Sequence, residues 1–235
     1  MKISVVIPVF REEGIAALLD DLLRRSDAGE ASATGGVEII VVDGAPEGDT
    51  LRRIKEYPVL GLASPPGRGT QQNTAAAAAS GDVLLFLHAD TILPDTAFTL
   101  IRQTLRENTL SGGAFSLSYE PRTPGLSFIA TAANLRSGRT RVPYGDQAIF
   151  VRKSVFTELG GFMPVPIMED LEFMTRLRSQ GHRIRILAMP VRTSARRQLR
   201  EGLVRCTLRN LCLRLLHHLG VAPQILARMY RRHGG

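Results

Sequence analysis

The chain has 235 residues, 44% apolar and 22% charged, which is enough to bury one sizeable α/β core and excludes a disordered or low-complexity protein. The net charge of +8 is split unevenly: positions 183–235 hold 12 Arg and one acid, net +11, while the other 182 residues hold 18 Lys+Arg against 21 Asp+Glu, net −3. No run reaches the roughly 20 apolar residues of a membrane span, and Cys206 and Cys212, six apart on a predicted helix, make no disulfide framework and suit a reducing, cytoplasmic setting.

Residues 3–10 form a charge-free β-branched run, the pattern of a strand covered on both faces, and too short for the apolar stretch of a secretory signal. Helical spacing follows over 14–25, with Ile15, Leu18, Leu19, Leu22 and Leu23 on one side, and then a small polar loop over 28–36. Residues 37–43 are a second buried strand that ends on Asp43-Gly44. Asp49 caps a helix running to about residue 56, and 59–62 is a short third strand. The turn from Pro65 to Gly69 leads into an Ala-rich helix over 70–79, closed by Ser80-Gly81. A fourth strand over 83–87 delivers His88-Ala89-Asp90, and Pro94 begins another helix.

This alternation predicts an α/β fold with a Rossmann-like, mostly parallel central sheet and helices on both faces. Ligands bind such sheets outside the C-terminal strand ends. Three polar clusters fall there: Phe10-Arg11-Glu12, Asp43-Gly44 and His88-Ala89-Asp90.

Beyond residue 110 the alternation weakens. A half-exposed strand is expected over 114–119, a helix over 127–137, a strand over 147–151, a turn at Gly160-Gly161-Phe162, a helix over 169–179 and a strand over 182–187. A helix over 201–219 carries an apolar stripe of Val204, Leu208, Leu211, Leu215 and Leu219, and Pro223 starts a last short helix. The chain therefore divides into a catalytic domain over 1–190 and a basic, amphipathic tail over 191–235. A tail of this charge suits phosphates or an anionic membrane surface. Among its arginines only Tyr230 is aromatic, so base stacking and nucleic acid are not expected.

Four features could carry chemistry, and each has a plainer reading. Asp90, just beyond a buried strand, either holds a divalent cation that bridges two phosphates or is a turn residue before Pro94. Asp43 either accepts hydrogen bonds from a base or ribose or closes an Asp-Gly turn. Gly67-Arg68-Gly69, opening a helix, either favours an anion or a stacked base or simply punctuates a loop. Glu169-Asp170 either supplies a general base or complements the dipole of the helix it begins.

Taken together, the pieces resemble the family 2 glycosyltransferases, which have the nucleotide-sugar-binding GT-A fold. The resemblance rests on Ser4-Val5-Val6-Ile7-Pro8-Val9-Phe10-Arg11-Glu12, Ile39-Ile40-Val41-Val42-Asp43-Gly44, Gly67-Arg68-Gly69 with Gln71-Gln72-Asn73, and Leu85-Phe86-Leu87-His88-Ala89-Asp90. Downstream it continues through Gly145-Asp146-Gln147, Gly160-Gly161-Phe162 and Glu169-Asp170-Leu171-Glu172, covering roughly 3–187. The form Phe86-Leu87-His88-Ala89-Asp90-Thr91 and the Ser194-Ala195-Arg196-Arg197 segment are similar to a narrower bacterial subgroup, the radical-SAM/selenodomain-associated transferases. Related sequences are labelled carotenoid-acid glycosyltransferases.

The resemblance implies an inverting glycosyltransferase that moves a sugar from a nucleotide-diphosphate donor to an acceptor hydroxyl. It implies that Pro8, Phe10, Glu12, Asp43, Arg68, His88 and Ala89 frame the nucleotide. Asp90, with His88, would hold Mg2+ or Mn2+ on the diphosphate. Gly145, Asp146, Gln147 and Glu169 would shape the acceptor side, and Asp170 would be the base. His88 stands where the family keeps the first Asp of its Asp-x-Asp motif; a neutral imidazole can ligate a metal but brings no charge. The acceptor is open, with a lipid-linked or carotenoid molecule among the candidates, and the location is cytoplasmic or peripheral on the inner membrane face. Two rivals remain: a nucleotidyltransferase, for which Arg11-Glu12-Glu13-Gly14 is a poor phosphate loop, and a non-catalytic nucleotide-sugar-binding protein.

Overall fold

A computed structural model describes residues 1–27 and 36–232. Apart from Gly36, the loop expected over 28–36 lies outside the described residues. The first half follows the expected alternation: β1 (Ile3–Val9), α1 (Ile15–Asp27), β2 (Val37–Asp43), α2 (Asp49–Arg53), β3 (Leu60–Ala63), α3 (Arg68–Ala78), β4 (Val83–Phe86), β5 (Thr91–Ile92) and α4 (Ala97–Leu105). The second half adds β6 (Gly112–Glu120), α5 (Pro124–Thr140), a 3-10 turn (Gly145–Gln147), β7 (Phe150–Arg152), α6 (Lys153–Glu158), α7 (Glu169–Ser179) and β8 (Ile184–Ser194). The tail is α8 (Arg196–Glu201), α9 (Leu203–His218) and α10 (Pro223–Arg232).

One eight-stranded sheet runs β3-β2-β1-β4-β7-β6-β8-β5. The strands β3, β2, β1 and β4 are parallel, as are β6 and β8, while β7 runs antiparallel to both β4 and β6, and β5 antiparallel to β8. The sheet is thus parallel where helices alternate with strands and mixed beyond. The strand alternation that covers both faces is visible residue by residue. Ile3, Val5, Ile7, Ile39, Val41, Val83 and Leu85 point into one core with α1, α4 and α5. Val6, Ile40, Val42, Leu84 and Phe86 point into the other with α3, α6 and α7. In that second core Phe86, Phe156, Phe162 and Phe173 pack ring to ring at 4.8–5.2 Å.

Chain order reverses between β1 and β4, so a crevice opens beside the C-terminal ends of these two strands, where open sheets take their ligands. The boundary expected after residue 190 falls inside β8. That strand continues to Ser194 because its second half pairs with β6 from Ser116↔Pro190 to Glu120↔Ser194 and with β5 at Thr91↔Thr193. The 147–151 strand is shorter than its sequence pattern, because Gly145–Gln147 turns in a 3-10 helix before β7 begins.

The tail is packed onto the body. Leu203 lies against the first core, close to Gly125, where a Cβ would stand 2.5 Å from Leu203 Cδ2. Cys206, Leu213, Leu226 and Ala227 are buried. Glu201 and Arg209 form an ion pair whose side chains are only 8% and 10% exposed. The stripe of Val204, Leu208, Leu211, Leu215 and Leu219 is not the docking face: these five side chains are 55–71% exposed.

Candidate active site

The β1 end presents Phe10, 54% exposed, with the Arg11 guanidinium 5.6 Å from its ring centroid. Arg11 takes a left-handed φ of 50° and pairs with Glu47 at 2.9 Å. Pro8 is half-buried in the strand behind it. The Glu12 carboxylate accepts the Gly14 N–H at 3.2 Å, closing the turn that leads into α1. At the β2 end Asp43 is buried. Its Oδ1 accepts the Ala45 N–H at 2.8 Å and its Oδ2 the Thr50 N–H at 3.1 Å. The carboxylate therefore closes the loop 44–49 onto α2, which is the plainer of the two roles its sequence position allowed. Gln71 carries a role that its sequence position did not announce. Its Nε2 donates to Val9 O at 2.7 Å and Val42 O at 2.8 Å, tying the ends of β1 and β2 together.

The other side of the crevice joins residues far apart in the chain. His88, Ala89 and Asp90 leave β4, with Asp90 exposed and its carbonyl accepting the Ser194 N–H at 3.1 Å. Gly145 fits between His88 and Asp170. A Cβ there would stand 2.8 Å from His88 Nε2 and 3.2 Å from Asp170 Oδ2. Asp170 is held by two amides, Gly145 N–H to Oδ2 at 2.5 Å and Leu171 N–H to Oδ1 at 2.7 Å. Its helix begins after Met168, a left-handed residue at φ 64°, a conformation that costs about 1–3 kcal/mol and persists only where its surroundings enforce it. Gln147 is fully buried, donating to Phe115 O and Ser137 Oγ, and so supports the turn from below.

Arg68 and Glu169 bridge the two sides, with Nη1 and Oε1 3.5 Å apart. Gly69 makes this approach possible: a Cβ there would lie 2.9 Å from Met163 O. Asn73 fixes the neighbouring turn by exchanging two hydrogen bonds with the Phe162 backbone, at 2.8 and 2.9 Å. The Arg136 guanidinium stacks 3.5 Å from the Tyr144 ring centroid and donates to Val142 O, beside the same turn.

The charges in this cluster are displaced from their usual states. Burial, with Arg68 and then Arg197 nearby, holds the His88 imidazole down to about 3, so it is neutral at physiological pH. Burial and then the Asp170 and Asp90 carboxylates push Asp146 up to about 6, against the opposing pull of Arg136 and Arg68. Burial raises Glu169 as well, with Arg68 opposing and Asp170 adding to the rise. Among the described residues no three His, Cys, Asp or Glu side chains gather as a metal cage. The buried His88 Nε2 has no hydrogen-bond partner in the protein. Asp90 is exposed, His88 is neutral, and no third such side chain joins them among the described residues, so a cation held here would take most of its ligands from a bound diphosphate rather than from the protein.

The family model for glycosyl transferase family 2 matches residues 4–158. The chain belongs to glycosyl transferase family 2. Among solved structures it resembles residues 1–349 of S. aureus TarS in complex with UDP-GlcNAc, at a TM-score of 0.63 and 20% identity, covering 83% of this chain and 58% of that one. The whole TarS structure matches at a TM-score of 0.63 and 18% identity, over 83% of this chain and 37% of that one. The mannosyltransferase PcManGT from Pyrobaculum calidifontis, in complex with GDP-Man and Mn2+, matches at a TM-score of 0.61 and 20% identity, over 81% of this chain and 56% of that one. The chain thus spans between about a third and three-fifths of these proteins. A comparison with curated proteins found no match. These likenesses establish the GT-A fold for this member of the family. The family match ends before Glu169-Asp170 and before the tail, and it extends to the family rather than to the narrower bacterial subgroup.

Proposed function

We propose that this family 2 protein transfers a glycosyl group from a nucleoside-diphosphate sugar to an acceptor hydroxyl, with inversion. The observation that carries this reading is the meeting of His88, Gly145 and Asp170 at one point of the crevice, beside Arg68, Asp90 and Asp146. Phe10 offers an exposed ring for the base, while Pro8, Glu12 and Asp43 set the loops around it. Arg68, His88 and Ala89 line the diphosphate. Gly145, Asp146 and Glu169 shape the acceptor side, with Gln147 supporting them. Asp170, oriented by its two amide donors, takes the proton of the acceptor hydroxyl as that oxygen attacks the anomeric carbon and the diphosphate departs. Mg2+ or Mn2+ held by Asp90 and His88 would neutralise part of the leaving charge. A nucleoside diphosphate with Mn2+ should raise the melting temperature by mass action on the folded state. Asp90→Ala should lose the metal-dependent part, and equal stabilisation of the wild type with and without Mn2+ would remove the metal from the account.

A second element of the reading concerns the acceptor. The stripe on α9 is exposed, a groove of about 560 Å3 lies between α9 and α10 along Val204, Leu208, Cys212 and Met229 with Arg205 and Arg209 in its lining, and Arg200 and Arg228 are exposed elsewhere on the tail. No helix among the described residues is long and apolar enough to cross a membrane. An apolar face with arginines beside it suits an anionic bilayer surface and an acceptor that is lipid-linked or carotenoid-like. The protein should float with anionic vesicles at low salt and release at 1 M, where the screening length falls to about 3 Å. Leu211→Glu with Leu215→Glu should abolish flotation, and a wild type that ignores such vesicles would point to a soluble acceptor.

A further inference from the structure

We infer that Arg197, on the first helix of the tail, joins Arg68 in gripping the donor diphosphate, and that Tyr230 on the last helix positions it. This rests on the glycosyltransferase reading and extends it to a segment beyond the family match. Arg197 follows a fixed point. Thr91 and Thr193 pair across β5 and β8 with their hydroxyls 2.9 Å apart, and the Ser194 N–H binds the Asp90 carbonyl. Ala195, fully buried, donates its N–H to Glu120 O at 2.9 Å. The tail therefore starts beside the His88-Ala89-Asp90 turn, and Arg197 comes two residues later.

The charge pattern around it is unusual. Arg68 and Arg197 both act on His88 and on each other, and burial with these two cations keeps the imidazole neutral rather than cationic. Glu201, the only acid of the tail, is paired with Arg209 and also acts on Arg197, where burial and the charges of Arg68 and Arg209 oppose it. Tyr230 lies between Arg197 and Arg209, its ring centroid 5.1 Å from the Cζ of each. A ring face attracts a guanidinium without neutralising it, so Arg197 is held in place with its charge and donor fork kept. Two guanidiniums on the rim of a nucleotide crevice match a pair of phosphates, to which arginine bonds in a bidentate manner. They also supply the positive charge that matters where a histidine stands in place of a carboxylate metal ligand.

The test compares UDP with UMP, and GDP with GMP, by calorimetry on the full chain with Mn2+. Wild type should prefer the diphosphate. Arg197→Gln should cut diphosphate affinity by about ten-fold or more, the worth of one charge-assisted hydrogen bond, and leave monophosphate affinity unchanged. Tyr230→Phe should behave as wild type and Tyr230→Leu should lose part of the preference, which a merely structural role would not do selectively. Arg197→Lys, which keeps charge without the fork, gives the same comparison if the Gln variant fails to fold, and should fall between it and wild type. An unchanged diphosphate-to-monophosphate ratio in the Arg197 variants would overturn this inference alone. A wild type that binds no nucleoside diphosphate would overturn the glycosyltransferase reading and this inference with it.

Discussion

The two edges of the sheet treat buried charge in opposite ways. At the N-terminal edge Glu38 receives the Ser4 hydroxyl, the Ser80 N–H and hydroxyl at 2.6 Å each, the Gly81 N–H at 3.0 Å and Lys2 Nζ at 3.1 Å. Despite some burial, these donors hold its carboxyl down to about 2. At the C-terminal edge Asp146 is pushed up to about 6, Glu169 is raised, and His88 is held neutral with Nε2 unpartnered in the protein. One edge satisfies its charge internally and gains stability. The other holds its titratable groups away from their ordinary states, with only long or opposing contacts from Arg68 and Arg136, the pattern expected of a binding site rather than of a structural network.

That contrast yields a double dissociation. Asp170→Asn keeps the shape of the rim but removes the base, and should slow turnover by about 10²–10⁴ with little change in melting temperature. Glu38→Ala strands the donors around it and should cost about 1–3 kcal/mol of stability while leaving turnover per folded molecule intact. If Asp170→Asn instead unfolded the protein, or Glu38→Ala silenced it, the two edges would not be separate in function.

Their pH signatures should also oppose. Glu38 is depressed from 4.5 to about 2, so its contribution is complete above 4.5 and is lost as pH falls towards 2. Asp146 is raised from 3.8 to about 6, so the native state is penalised as pH rises through that window. Asp146→Asn should therefore melt higher than wild type at pH 7–8, by the about 2–4 °C that 1 kcal/mol is worth at this chain length, and lose that advantage below pH 4. A variant that melts lower at pH 8 would mean that Asp146 is paired in the free protein after all.

The parallel half of the sheet was legible because each strand repeats one signal, apolar on both faces, between helices of clear period. Asp90 and Asp170 stand out in the sequence because one follows a strand and the other begins a helix, while Gly145 and Asp146 entered only through the family resemblance. Their meeting was not legible, since it depends on pairing between residues 25 or more positions apart. The same limit hid the second half of β8: the expected strand ended at residue 187, and the chain passes a register shift there before pairing with β6 again from Ser116↔Pro190. Asp43 shows the converse: the Asp-Gly turn announced its closing role, and the fold adds a second amide, that of Thr50, seven residues on. The stripe on α9 was plain in the sequence, but the face that docks carries Leu203, Cys206 and Leu213, spaced i, i+3 and i+10 on one side of the helix and fewer than the five apolar residues of the exposed stripe.

The central claim is that the crevice at the C-terminal edge breaks the bond between a sugar and a nucleoside diphosphate. The most direct measurement is 31P NMR of the full chain with diamagnetic Mg2+ and a panel of UDP- and GDP-sugars, with water or a simple alcohol as acceptor. The account predicts slow release of UDP or GDP from at least one donor, lost in Asp170→Asn. Pyrophosphate formed from a nucleoside triphosphate and a sugar phosphate, with every donor left intact, would contradict it and make the chain a nucleotidyltransferase instead.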